Sequence, residues 1–417
     1  NGGLIEGEIN INGDMNTLNG NGEIFIHSLS IGTRVIDPIE IPITIKSNEL
    51  IIPELLISSD GEQIRTVFEF NPNGDYDIQI DSSPISIGKL YSNFVSTKGR
   101  EIAQDSKGEQ HVATPDGNIQ ISISGNGNMK SPSLDGRIDI NDLSYNGEKF
   151  GDGECLIKVG NDKANVEMRL LAKTVITSVE ASIKKPFPFS ARLKLEDINI
   201  EPALRIAKIG EMFDLHLTGD IMAYGDGEHP MDITIDGSLE NIIFSAGQHN
   251  WVNKSPISLK LKDRKFNIDS LQMDGKDGSL LINASAELSN SKENQKIDIN
   301  ANAKINDFDL SVASDIMQTP KPLKGKINCD VFVVGDSKSP NILAEIDGSG
   351  IEYDQINIDG FSSEIAYKEN LLEVQKFLMN AFNGEASLTY SMPINLMEKD
   401  ALLPQKLMDT NMRLSIN

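Results

Sequence analysis

Apolar and polar residues alternate with period two along most of the 417-residue chain. Ile119-Gln120-Ile121-Ser122-Ile123-Ser124, Leu215-His216-Leu217-Thr218 and Ile297-Asp298-Ile299-Asn300 are clear cases. Ile233/Ile235, Val331/Val333 and Ile356/Ile358 follow the same rule. Side chains on a strand point alternately to its two faces, so this pattern predicts strands with one apolar and one polar face. Asp-Gly pairs punctuate the runs, among them Asp60-Gly61, Asp135-Gly136, Asp236-Gly237 and Asp347-Gly348; Asn146-Gly147 and Asn383-Gly384 add to them. Both dipeptides tolerate positive φ and suit tight hairpin turns, with some expected at strand edges. Short strands about ten residues apart, with no long helical crossovers, predict an all-β, antiparallel meander with a few short helices.

The chain also resembles itself. An apolar-x-apolar-x-Gly strand end recurs at Ile9–Gly13, Ile121–Gly125, Leu215–Gly219 and Val331–Gly335. A small residue followed by alternating apolars comes about ten residues later, as in Gly22–Leu29 and Gly136–Leu143. The unit is on the order of 110 residues, giving one elongated array with approximate repeats 1–80, 81–190, 191–296 and 297–417. Ile268, Leu271, Met273, Gly278, Leu280 and Ile282 correspond to Val374, Phe377, Met379, Gly384, Ala386 and Leu388. That correspondence assigns Leu371–Phe382 to a strand, although its residues are good helix formers. One short helix is expected in each of three places, near 83–95, 201–212 and 308–317. The clearest begins at Glu201-Pro202, where proline suits a first helical turn.

Charge and chemistry narrow the functional classes. With 62 acidic and 38 basic residues the net charge is −24, which disfavours nucleic acid and anionic membrane surfaces as partners. No run of apolar residues approaches the length of a membrane-spanning helix. The chain begins at Asn1 and is expected to be a fragment of something longer, with any anchor outside it. Cys155 and Cys329 form neither a disulfide framework nor a metal cluster and are expected as buried thiols. His27, His111, His216, His229 and His249 are scattered, without metal-ligand spacing. Nucleophile elbows, phosphate-binding loops and dinucleotide fingerprints are absent, so no enzyme activity, metal or cofactor is expected. What remains is the apolar face, which must fold onto a second sheet, close, stack, or receive a ligand.

Several stretches carry a resemblance to a known family. FDLHLTGDIMAYGDGEHPMDITIDGSLENIIFSAG (213–247) and GKINCDVFVVGDSKSPNILAEIDGSGIEYDQINIDG (325–360) each read strand, glycine, short polar loop ending in proline, then two alternating strands. SGNGNMKSPSLDGRIDINDLSYNG (124–147) repeats the arrangement. LKLEDINIEPALRIA (193–207) and INDFDLSVASDIM (305–317) supply a strand-then-helix lead-in. In these features the chain, from about Gly7 to Ile394, resembles the repeat region of TamB-type translocation-and-assembly-module proteins, within the AsmA-like group.

That resemblance implies a long antiparallel sheet curled into a taco-like open groove, apolar inside, carrying phospholipid across the bacterial periplasm between inner and outer membrane. It implies phospholipid acyl chains as ligand, an outer-membrane β-barrel as partner, and an inner-membrane anchor in the parent protein. Ile119, Ile121, Ile123, Leu215, Leu217, Ile233, Ile235, Ile297, Ile299, Val331, Val333, Ile356 and Ile358 are the candidate groove-lining residues. Two other readings stay open: a scaffold assisting β-barrel assembly through strand edges, and a structural solenoid with a closed core.

Overall fold

The computed structural model describes residues 4–14, 17–27, 29–31, 34–94, 102–104, 110–112, 114–206, 213–288, 297–317, 319–394 and 411–416. Contacts divide the chain into two compact units, one of Asn1–Ile198 with Asp226–Glu228, the other of Asn199–Gly225 with His229–Asn417. Both are nearly all β, with short helices.

Unit 1 opens with β1 (Leu4–Asn12) and β2 (Asn19–His27), followed by a small ribbon of β3 (Ser30–Ile31) and β4 (Arg34–Val35). Next come β5 (Ile39–Lys46), β6 (Glu49–Ser59), β7 (Glu62–Phe70) and β8 (Asp75–Ser82). A two-residue β9 (Ile85–Ser86) leads into helix α1 (Ile87–Phe94), and a second ribbon pairs β10 (Ile102–Gln104) with β11 (Gln110–Val112). Then follow β12 (Pro115–Asn128), β13 (Ser131–Tyr145), β14 (Glu148–Gly160), β15 (Lys163–Leu170), β16 (Val175–Ser182) and β17 (Pro188–Asn199). The long strands pair antiparallel in chain order, β8 joining β12 across the helical insert.

Unit 2 contains helix α2 (Glu201–Ile206), β18 (Phe213–Asp226) and β19 (Thr234–Ala246). Two short strands, β20 (His249–Asn253) and β21 (Ile257–Lys262), both bridge β19 to β22 (Lys265–Gly275). β23 (Gly278–Leu288) and β24 (Ile297–Asp309) precede helix α3 (Leu310–Met317). β25 (Leu323–Asp336), β26 (Ser339–Tyr353), β27 (Ile356–Lys368), β28 (Leu371–Ala381), β29 (Gly384–Pro393) and β30 (Asn411–Ile416) complete an antiparallel order from β22 onward. Leu371–Ala381 is thus a strand despite its helical propensity: its alternate residues pair between two neighbours, and tertiary context overrides a weak local preference.

Each helix starts at a polar cap that accepts an otherwise unpaired amide. Ser86 Oγ takes the Lys89 amide (3.3 Å), Asn199 Oδ1 that of Glu201 (2.6 Å), and Asp309 Oδ1 that of Ser311 (2.8 Å). The helices are shorter than the spacing predicts at α1 and α3. For α2 the predicted residues 207–212 lie outside the described ones.

The Asp-Gly expectation needs correction. Asp60-Gly61 is a turn, but Asp135-Gly136, Asp236-Gly237 and Asp347-Gly348 lie inside β13, β19 and β26. Many hairpins instead turn on two residues that both have positive φ, such as Ser47-Asn48, Asn161-Asp162, Asp263-Arg264 and Glu369-Asn370. The mid-strand glycines serve packing. A Cβ on Gly348 would sit 2.2 Å from the Phe361 ring, and one on Gly237 would sit 2.9 Å from Ile221. Glycine there leaves a recess for the large side chain on the neighbouring strand.

Bulges keep the apolar residues on one face. Asp142, Ser270 and Asp307 have φ of 54°, 54° and 51° at register shifts in β13, β22 and β24. An extra residue reverses the parity of a strand. The alternation reverses with it, from Ile138 and Ile140 to Leu143, and from Ile268 to Leu271. The bulged amides are not left unpaired. Side-chain oxygens of Asp152, Asn283 and Asn328 accept them at 3.0, 3.1 and 2.8 Å. β28 has a shift between Val374 and Phe377, matching the one between Ile268 and Leu271.

Candidate functional site

Directly opposed residues on antiparallel strands share a face, so the registers can be followed across each unit. In unit 1 one transverse row runs Ile123, Gly136, Ile157, Val166, Val179, Ala191 from β12 to β17. The adjacent row reads Ile121, Ile138, Cys155, Met168, Thr177, Leu193. Towards the start of the unit, Ile123 faces Ile80, and Gly125 faces Ile78, which faces Phe68. In unit 2 one row reads Ala284, Ala301, Val333, Ile342, Tyr367, Leu372 from β23 to β28. Another reads Ile282, Ala303, Val331, Ala344, Ile365, Val374. Strand spacing is about 4.8 Å, so each six-strand row presents apolar surface for roughly 24 Å between its first and last strands.

Burial along these rows is partial except at Tyr367, which is 3% exposed and is buried with Met392 and Ile394. Ile119, Ile121 and Ile123 alternate with exposed neighbours, yet each is only half-buried. The same holds for Val331, Val333, Ile235 and Ile299. Leu215 and Leu217 are half-buried against a buried cluster described below. Ile233 is not in a strand: it follows a single 3-10 turn at Pro230–Asp232, because the proline-ended loop delays the start of β19. Ile297 (36% exposed) and Ile356 (51%) lie at the first positions of β24 and β27, where the neighbouring strands cover them less. Cys155 and Cys329 are half-buried, opposite Ile138 and Met168 and opposite Ile305 and Ile346 respectively; burial raises both thiol pKa values. They are small apolar residues of the face.

The opposite face is mostly polar, and charge pairs cross its strands. Arg137 reaches Asp139 (2.6 Å) and Glu154 (3.2 Å), and Arg169 reaches Glu167 (2.8 Å) and Glu154 (3.5 Å). Phe332 and Val334 depart from that pattern, exposed on the face opposite to Val331 and Val333.

The larger of two covered stretches of the apolar face in unit 2 lies under α3. Ile242, Ala246, Trp251, Ile257, Met273 and Val312 are buried together, Val312 coming from α3. Aromatic rings run through this cluster: Phe213 to Phe244 and Phe244 to Trp251 at 5.7 Å, then Trp251 to Phe308 at 6.2 Å. Trp251 and Phe308 are separated by three strand-to-strand steps, about 14 Å on a flat sheet. Their rings meet because the sheet curls there and because Gly275 and Gly278 stand between them. A Cβ on Gly275 would lie 2.7 Å from the indole, and one on Gly278 would lie 2.8 Å from Phe308 Cα.

His249, at the start of β20, is buried beside this cluster. It makes 2.8 Å contacts to Asp277 through Nδ1 and to Asp315 of α3 through Nε2. In the sequence this histidine is one of five scattered ones. Its partners are 28 and 66 residues away, so no local motif marks it. The lone tryptophan two residues later was the available signal.

Among the described residues, no group of three histidines, cysteines or carboxylates is placed to hold a metal. Nor is any described helix long and apolar enough to cross a membrane. No family model, curated protein or solved structure matches this chain.

Proposed function

We propose that this chain is a repeat-region segment of a TamB-type, AsmA-like bridge protein that carries phospholipid, without catalysis, along its apolar face across the bacterial periplasm. The observation that carries the reading is the apolar rows, which run from strand to strand within each unit and stay half-exposed over most of their length, Tyr367 being the buried exception. A sliding acyl chain then meets apolar side chains at every strand step. Each methylene kept from water contributes about 0.8 kcal/mol, so a polar gap several methylenes long would be a barrier of several kcal/mol. The parent protein would hold an inner-membrane anchor and meet an outer-membrane β-barrel partner.

The test is lipid extraction from purified protein followed by mass spectrometry, with Val333→Asp and Ile235→Asp as variants. Bound phospholipid in the parent chain, reduced severalfold in folded variants, is the expected result. A protein free of phospholipid, or folded variants that load it equally well, would sink the reading. A second reading, strand addition to barrel clients, is favoured by β1. This strand pairs with β2 on one side, and its Ile5 (67%) and Ile11 (55%) are exposed. Site-specific crosslinking from β1 to unfolded barrel clients tests it.

A further inference from the structure

Between α3 and the sheet of unit 2 lies a cavity of about 160 Å³. Its walls are almost wholly apolar: Phe244, Trp251, Met273, Leu280, Phe308 and Ile316 line it, and Ser279 supplies the one hydroxyl. Ring faces and aliphatic chains leave a slot with no charged group to hold a polar ligand. The chemistry suits the end of a linear hydrocarbon chain.

α3 closes one side of this slot, and a charged clamp holds it there. His249 is only 4% exposed, and its two nitrogens each lie 2.8 Å from a carboxylate oxygen. Ionised carboxylates only accept hydrogen bonds, so both contacts require a proton on both nitrogens, the imidazolium form. A neutral ring would leave one nitrogen lone pair facing a carboxylate. Gln248 also donates to Asp315 (2.9 Å), and Lys276 approaches Asp277 (3.9 Å). Asp309 at the α3 cap also feels the His249 charge, and Lys326 bears on Asp309 from β25. Asp315 is the clamp's only member on α3 itself.

We propose that α3 is a lid over a hydrocarbon-tail pocket, latched by Asp277–His249–Asp315, and that loss of the His249 proton frees the lid. The ligand assignment rests on the lipid-path reading; the latch rests on geometry alone. Trp251, the sole tryptophan, stands in the pocket wall and reports on it directly. The probe is a short-chain phosphatidylcholine brominated near the end of its tail, zwitterionic throughout the pH range used. It quenches Trp251, and the quenching rate rises roughly tenfold from about pH 5.5 to about pH 8.5, the size expected for one charge-assisted hydrogen bond. Asp315→Asn, at a 43% exposed position, is fast at both pH values, and His249→Gln behaves alike. A wild-type rate independent of pH, or an Asp315→Asn rate equal to wild type, overturns the latch. Absence of quenching overturns the pocket. If phospholipid copurifies while bromine leaves Trp251 bright, the pocket falls and the lipid path stands. If none copurifies, the path falls, and quenching by the probe alone decides the pocket.

Discussion

Strands β12–β17 of unit 1 and strands β19–β24 of unit 2 begin from the same alternation and end differently. In the first stretch, Ile121, Ile123 and Val166 remain half-buried, with no buried apolar cluster above them among the described residues. In the second, Val312 of α3 and the Phe213–Phe244–Trp251–Phe308 series seal the face until Val312 and Ala246 are 1% exposed. α1 and α3 are both eight residues long, but Val312 and Ser314 of α3 are buried, while Ile87, Leu90 and Tyr91 of α1 are half-buried. Period-two alternation therefore specifies a one-sided sheet and leaves open whether that side is covered. Aromatic volume, glycine recesses and one docked helix decide the covering.

The difference can be broken at its largest member first. Trp251→Ala should destabilise unit 2 by about 3–5 kcal/mol, since a fully packed ring is lost, whereas Val166→Ala on the half-exposed face should cost about 1 kcal/mol. Hydrogen-exchange protection of β20–β24 and of β14–β16 measures each locally. Equal costs would mean that the two stretches are not packed differently.

Glycine recesses give the next effect. Gly348→Ala drives a methyl into the Phe361 ring and should cost about 1–3 kcal/mol. Gly160→Ala, at the end of β14 with open space around it, should stay within about 0.5 kcal/mol of wild type. Denaturant titration of the paired variants compares them.

The smallest expected effect is that of pH on the covered stretch. Burial of His249 works against its charge, but its hydrogen bonds to Asp277 and Asp315 and their negative charges outweigh that, and its pKa is raised. A raised folded-state value means the contribution is complete below the unfolded value of about 6.5 and is lost as pH climbs through the folded one. Denaturant midpoints followed by Trp251 fluorescence should fall as pH rises above about 6.5, and His249→Gln should flatten the slope. The half-exposed stretch of unit 1, followed by hydrogen exchange after quenching to a common pH, should show no such dependence.

Much of this was legible from one-dimensional pattern. Ile119, Ile121 and Ile123 share a face because residues two apart must, and Ile268 matches Val374 down to the bulge that follows each. Other features were not legible. Asp135-Gly136 and Asp347-Gly348 look like turns, because the demand for glycine comes from a side chain on the next strand. Ile297 and Ile356 alternate correctly yet sit at strand starts, where exposure depends on what lies beside them.

By itself, then, the sequence determined the antiparallel strands, their two-faced character and the approximate places of the three short helices. These are local, set by side-chain direction and by residues a few positions apart. Only the tertiary structure decided where that face is covered. Trp251, Phe308 and Val312 meet, and His249 reaches Asp277 and Asp315, because strands distant in sequence are neighbours in register and the sheet curls beneath α3.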